Sequence, residues 1–130
     1  LDPIPNLNNP SAKLQPDWSV CLQACQDCAD ACRTCADACK AEATPDMMAD
    51  CIKLDLECAA VCDATVQLLS RAPAANPNDV AAQLAKCADA CGACAMECES
   101  HTSMEHCGVC AEACRECETA CKDAMAGKAA

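Results

Sequence analysis

Six cysteines within residues 21–39, namely Cys21, Cys25, Cys28, Cys32, Cys35 and Cys39, follow one another at alternating steps of four and three. That is a heptad repeat with sulfur at every seam position. At about 100° per residue the six side chains fall within an arc of roughly 80° on a helix, whereas a strand would scatter them over both faces. The spacing returns in Cys87, Cys91, Cys94 and Cys98, then in Cys107, Cys110, Cys114, Cys117 and Cys121, and more sparsely in Cys51, Cys58 and Cys62. Four helices, each with a sulfur face, are therefore expected.

Composition bears on what fills the space between them. The 130 residues suit one domain, and the nominal 53% hydrophobic content promises an ordinary core. Eighteen cysteines and many alanines make up that figure, however, while Phe and Tyr are absent and Trp18 is the single aromatic. Side chains this small bury little area, so the interior must be narrow or must hold a filler. A formal charge of −11 with only nine dispersed Lys and Arg argues against nucleic acid. No apolar run reaches membrane-spanning length.

Helix starts can be read from the punctuation. Residues 1–15 carry Pro3, Pro5, Pro10 and several Asn, and read as an extended tail without the pattern of a signal peptide. Pro16-Asp17, Thr44-Pro45-Asp46 and Asn76-Pro77-Asn78-Asp79 each suit the first turn of a helix, and Thr102 with Glu105 fits a capping box. Gly127 suits the end of the last helix. The expected helices cover residues 16–42, 45–70, 77–101 and 103–125, each about 35–40 Å long. Short connections between helices of equal length make an all-α, antiparallel, up-down-up-down four-helix bundle over residues 16–126, with the cysteines converging on its axis.

The two ends of such a bundle differ. Val66, Leu69, Val80, Leu84 and Met125, with Trp18 and Val20 nearby, read as an apolar plug at one end. Met47, Met48, His101, Met104 and His106 gather at the other, which is taken as an entrance. His101 is in phase with Cys94 and Cys98, while His106 sits about 100° off the face of Cys107. Met48 and its neighbours Met47 and Met104 are either soft relay ligands or apolar caps. Asp55 falls inside the sulfur arc, where it either ligates or orients an ion, or reaches out to solvent. Leu54, Val61 and Leu68 flank the sulfur face as packing, while Ile52 and Leu56 point away and suit a subunit contact.

Eighteen cysteines in seam register are not ordinary small hydrophobes, since Ala, Val or Leu would pack without the liability of oxidation. Nor do they suit a disulfide framework, because i, i+4 neighbours on a helix hold their Cβ atoms about 5–6 Å apart, beyond disulfide reach. Thiolates favour Cu(I), Zn(II) or iron–sulfur clusters. Ferredoxin spacing is missing, and the Cys-x-x-Cys pairs lie inside helices rather than in zinc-binding loops. One Cu(I) per thiolate leaves a buried interior near neutral, whereas four thiolates around each zinc bury net negative charge. Many Cu(I) ions, about one per cysteine, are the reading this balance favours. A zinc or broad-metal thiolate buffer and a thiol redox reservoir are the rivals. No convergent acid, base and nucleophile set suggests an enzyme.

On these residues the chain resembles the bacterial cysteine-lined four-helix-bundle copper storage proteins, in particular their cytosolic branch. The matching segments are residues 21–39, residues 51–58 (Cys-Ile-Lys-Leu-Asp-Leu-Glu-Cys), His106-Cys107-Gly108-Val109-Cys110, and residues 114–121. The likeness spans residues 18–123. It implies storage and detoxification of Cu(I) inside the bundle, loading through the His- and Met-bearing mouth, a homotetramer and a cytoplasmic location. A copper chaperone or small-molecule copper carrier is the delivery partner to expect, with no role for nucleic acid or membrane. The tail lies outside the likeness, and the start at Leu1 keeps an exported, processed form as the alternative.

Overall fold

The computed structural model describes residues 18–42, 44–71 and 75–127. Helix α1 is Ser19–Lys40, a single 3-10 turn follows at Pro45–Met48, and α2 is Ala49–Ser70, α3 Pro77–Glu99 and α4 Glu105–Met125. Each helix packs against its neighbours in sequence, and α1 closes the ring against α4. Backbones on the diagonals do not meet, so a channel is left along the axis for side chains to fill. Cysteine partners run in opposite directions along neighbouring helices. On α1 and α4 the pairs Cys21–Cys121, Cys25–Cys117, Cys28–Cys114, Cys32–Cys110 and Cys35–Cys107 ascend on one helix and descend on the other. Cys51–Cys98, Cys58–Cys91 and Cys62–Cys87 do the same between α2 and α3. The bundle is thus antiparallel throughout, as up-down-up-down connectivity requires.

Between the cysteines the inward-leaning positions are alanine. Ala29, Ala36, Ala59, Ala88, Ala95, Ala111 and Ala120 are all buried, and such short side chains let the helices approach closely. Helix starts follow the local signals only in part. Asn76 caps α3 as expected, its side-chain oxygen accepting from the amides of Asn78 and Asp79. Thr44 makes no side-chain cap, and the chain winds through the 3-10 turn before α2 begins four residues after Pro45. The capping box of Thr102 and Glu105 does not form either. Met104 takes the extended cap conformation of α4 without a side-chain hydrogen bond, and α3 ends at Glu99 rather than near residue 101. Pro16 lies outside the described residues. Gly127 adopts φ 78 just past α4, the left-handed region in which a residue without Cβ is favoured.

The apolar plug is smaller than expected. Leu69, Val80 and Leu84 are buried, with Trp18 and Val66 half-buried against them. Val20 is 55% exposed and Met125 41% exposed, so neither belongs to it. Val20 lies one residue off the seam, and Met125 extends a full turn past the Cys21–Cys121 pair. Thr65 occupies the seam between Cys62 and Leu69 in place of Val66. Its hydroxyl donates to the Val61 carbonyl and accepts from the Gln83 side chain, which satisfies a buried polar atom beside the plug.

Candidate metal centre

All eighteen thiols are free and buried, none more than 1% exposed. The heptad register accounts for this: each helix turns its seam inward, and four seams meet where the diagonal backbones stay apart. Sulfurs from different helices then lie 3.6–3.9 Å from one another along the axis. Contacts across the diagonal, such as Cys28–Cys91 and Cys25–Cys87, join what the backbones leave separate.

Within this file of sulfur, sets of four donors lie within 4.8 Å of one another. Cys25, Cys87, Cys117 and Cys121 form one near the plug; Cys28, Cys62, Cys91 and Cys117 the next; then Cys28, Cys32, Cys58 and Cys114; then Cys32, Cys94, Cys110 and Cys114. At the mouth the set is Cys35, Cys39, His106 and Cys107. Cys28, Cys32, Cys114 and Cys117 each belong to two of these sets, so the four deeper sets run into one another, while the mouth set shares no member with them.

Asp55 stands among the thiols. It is fully buried, which rules out the solvent-reaching alternative. One carboxylate oxygen accepts from Cys94 at 3.1 Å, Cys110 at 3.3 Å and Cys98 at 3.7 Å, and the other lies 3.9 Å from Cys51. Burial pushes this carboxyl up to about 9, helped by the Cys94 hydrogen bond. Burial likewise raises the Cys107 thiol to about 11, and burial followed by the adjacent Asp55 charge raises Cys51 further. In the metal-free protein these thiols are therefore protonated at neutral pH.

The two histidines part company. His106 Nε2 lies 3.5 Å from Cys39 Sγ, at the lip of the outermost set. His101 instead turns its Nε2 to the Glu97 carboxylate at 2.8 Å on the rim. The signal for this was an acid four residues before the histidine. Met48 is only 2% exposed and packs on the core, its neighbour Met47 is 75% exposed, and Met104 is half-buried. Leu54, Val61 and Leu68 pack against the core, as does Ile52, while Leu56 is exposed. Two features escaped the sequence reading. One is Glu42, which approaches His106. The other is an outer clasp in which Arg115 pairs with Glu99 and Glu118, and Lys122 also pairs with Glu118.

A helical bundle whose interior is lined by eighteen free, buried thiols grouped into candidate metal-holding sets defines a class: a thiol-lined four-helix bundle. The chain belongs to the copper storage protein family, whose model matches residues 15–126. It is 37% identical over 107 residues to the uncharacterized cysteine-rich protein YhjQ of Bacillus subtilis, covering 82% of this chain and 94% of that one. Among solved structures it resembles a histidine-to-alanine mutant of Streptomyces lividans Ccsp, with TM-score 0.84, 45% identity, and 87% and 98% of the two chains covered. A cytosolic copper storage protein from the same organism, loaded with five coppers, gives TM-score 0.82 and 48% identity over 84% and 92%. The Cu(I)-bound copper storage protein BsCsp3 gives 0.75 and 35% over 87% and 98%.

Proposed function

We propose that this protein stores Cu(I) at high capacity, about one ion per cysteine, and so keeps the metal from doing damage. The observation that carries the reading is the convergence of eighteen buried thiols on one axis, with many sulfurs 3.6–3.9 Å apart and grouped in four-donor sets, several of which share members. Distance alone does not separate the candidate metals, since a tetrahedral zinc–thiolate site with bonds of about 2.3 Å has sulfur edges of about 3.8 Å. Charge does. Four cysteines serve two donor sets each and a thiolate can bridge ions of either metal, but divalent zinc closed by four sulfurs still buries net negative charge. Filling with one monovalent ion per thiolate leaves the channel near neutral.

Loading is proposed to run through the mouth, with His106 and the thiols of Cys35, Cys39 and Cys107 as the first ligands and Asp55 as a ligand or orienting group one layer deeper. Met48 closes the apolar wall beside them, and His101, held by Glu97, is a rim group. The copper-loaded relatives support copper as the cargo. They support a cytoplasmic location too, and the exposed Leu56, Met96 and Val109 offer apolar surface for a homotetramer. The protein acts as a store rather than an enzyme.

The test is an anaerobic titration of reduced, metal-free protein with Cu(I) against a chelator of known affinity, repeated in excess Zn(II). A break near one Cu(I) per cysteine that zinc does not disturb is expected. Saturation at a few ions, or displacement by zinc, would leave a zinc buffer or a redox protein.

A further inference from the structure

The donor set at the mouth differs in composition from the four deeper ones. It holds three sulfurs and one nitrogen, where they hold sulfur alone. Cys35 and Cys39 stand one turn apart near the end of α1, and His106 and Cys107 stand side by side in the first turn of α4. The three sulfurs make an equal-sided triangle, with Cys35–Cys39, Cys35–Cys107 and Cys39–Cys107 each 3.9 Å. His106 Nε2 lies 3.5 Å from Cys39 Sγ and within 4.8 Å of the other two sulfurs.

Those edges suit a tetrahedron. Zn(II) with sulfur bonds of about 2.3 Å and a nitrogen bond of about 2.0 Å needs edges of about 3.8 Å between sulfurs and about 3.5 Å from sulfur to nitrogen. Three cysteines and a histidine are also an established ligand set for such an ion. The edges admit Cu(I) as well, and charge makes the distinction between this set and the rest. Three thiolates and a neutral imidazole around a divalent ion leave one negative charge, where four thiolates leave two. The smaller charge also lies where water reaches it, since His106 is 20% exposed while every cysteine of the four deeper sets is at 0%. Closing the mouth set takes no thiolate from those four.

We propose that Cys35, Cys39, His106 and Cys107 form a site for one borderline divalent ion of the Zn(II) class, seated at the mouth of the copper-free bundle and given up when Cu(I) loads. Seating releases three thiol protons to water. Displacement follows from softness, because Cu(I) competes for the same thiolates and the zinc leaves as Zn(II), with no electron transferred. The mouth thus differs in selectivity from the interior. Binding of the divalent ion stands apart from the Cu(I) storage reading, and only its release rests on that reading.

Three measurements test it. Zinc X-ray absorption on reduced protein given one equivalent of Zn(II) needs no variant, and should show about three sulfurs near 2.3 Å and about one nitrogen near 2.0 Å. A shell of four sulfurs, or one dominated by oxygen, overturns the proposal. Anaerobic titration with Co(II), a coloured stand-in for zinc, should give tetrahedral d–d bands that break at one ion per chain. His106→Ala should weaken that ion by at least about tenfold, since even the loss of an outer-shell partner does so at metal sites. His101→Ala removes the rim histidine paired with Glu97 and should leave the ion unchanged. A break at several ions, an affinity that ignores His106→Ala, or an equal loss with His101→Ala overturns the proposal. Last, Cu(I) is added to protein holding one Zn(II), with a chromogenic zinc indicator in solution. Zinc should appear before copper saturates, and zinc retained in the copper-saturated protein overturns the release. A protein that takes up no Cu(I) sinks the storage reading instead, and the absorption and cobalt measurements still decide the zinc site.

Discussion

Asp55 is the residue at which the electrostatics of the interior are most exposed to experiment. A carboxylate with no water around it is costly unless cations or strong donors compensate, and its neighbours in the metal-free protein are thiols. Its carboxyl is accordingly raised from an ordinary 3.8 to about 9. Between those values the folded chain holds a proton that the unfolded chain has lost, so stability falls as pH rises. The contribution is fully present below about pH 4 and is lost as pH climbs through about 9. Asp55→Asn removes the ionisable group while keeping the shape. Thermal melts of reduced metal-free protein at pH 5 and pH 8 should show the wild type losing a few kcal/mol more than the variant across that interval. Equal losses would mean that Asp55 is paired or hydrated in solution. That this residue lies in the sulfur arc could be read from its four-residue spacing from Cys51. Its complete burial could not, because an acid at the edge of a seam has the length to bend outward. Thr65 was legible in the same way, three residues after Cys62, but a hydroxyl at a seam position carries less signal than the valine beside it. The neighbours of His106, unlike the i−4 partner of His101, depend on where helix ends fall relative to one another. No spacing within one helix specifies that.

At the scale of the helix, the two interior glycines do different jobs. A Cβ at Gly108 would meet open space, so Ala there gains helix propensity with no steric cost. A Cβ at Gly92 would come 3.0 Å from a Glu118 carboxylate oxygen. Glu118 lies over α3 in the room that Gly92 leaves, and is held there by Lys122 and Arg115, whose guanidinium also grips Glu99 in two parallel bonds. These cations hold the Glu118 and Glu99 carboxyls below the usual range. Gly108→Ala is expected to raise the melting temperature of the metal-free protein by about 3 °C. Gly92→Ala should gain nothing, because displacing Glu118 weakens the clasp by about as much as propensity returns. Its stability should also depend less on added salt than that of the wild type. A gain at Gly92 equal to that at Gly108 would show that the clasp contributes nothing. Helix starts were legible where the signal is self-contained, as at Asn76, whose side chain reaches its own second and third residues. They were not legible at Thr44 and Thr102, where the chain has to bridge two helices. There the approach of Met48 to the core and the turn through residues 100–104 override the capping preference.

For the whole molecule, the cysteine register was enough to specify the architecture, because only one arrangement hides four sulfur faces at once. The same register sets the charge balance of loading. Interlocked helices with alanine between the thiols and an apolar plug of Leu69, Val80 and Leu84 give the metal-free chain a core of its own. It should therefore be helical by far-UV circular dichroism before any ion is added, unlike a zinc finger. Eighteen buried thiolates without counterions would repel one another strongly, so the folded metal-free core holds protons, as burial does at Cys107, whose thiol lies well above neutrality. Every Cu(I) that enters as a cation must then release about one proton if the channel is to stay neutral. In an unbuffered pH-stat titration at pH 7, base consumption should rise in proportion to copper, with a slope near one, and should stop where binding saturates. Lowering the pH by one unit should weaken each binding step about tenfold, because a proton competes for the same sulfur. A slope near two at a lower capacity would indicate a divalent-type site in which each ion takes several thiolates. A slope near zero would mean that the thiols are already ionised in the metal-free core. Eighteen thiolates at van der Waals separation without counterions would repel one another strongly, so that state would also have to bind other cations in proportion.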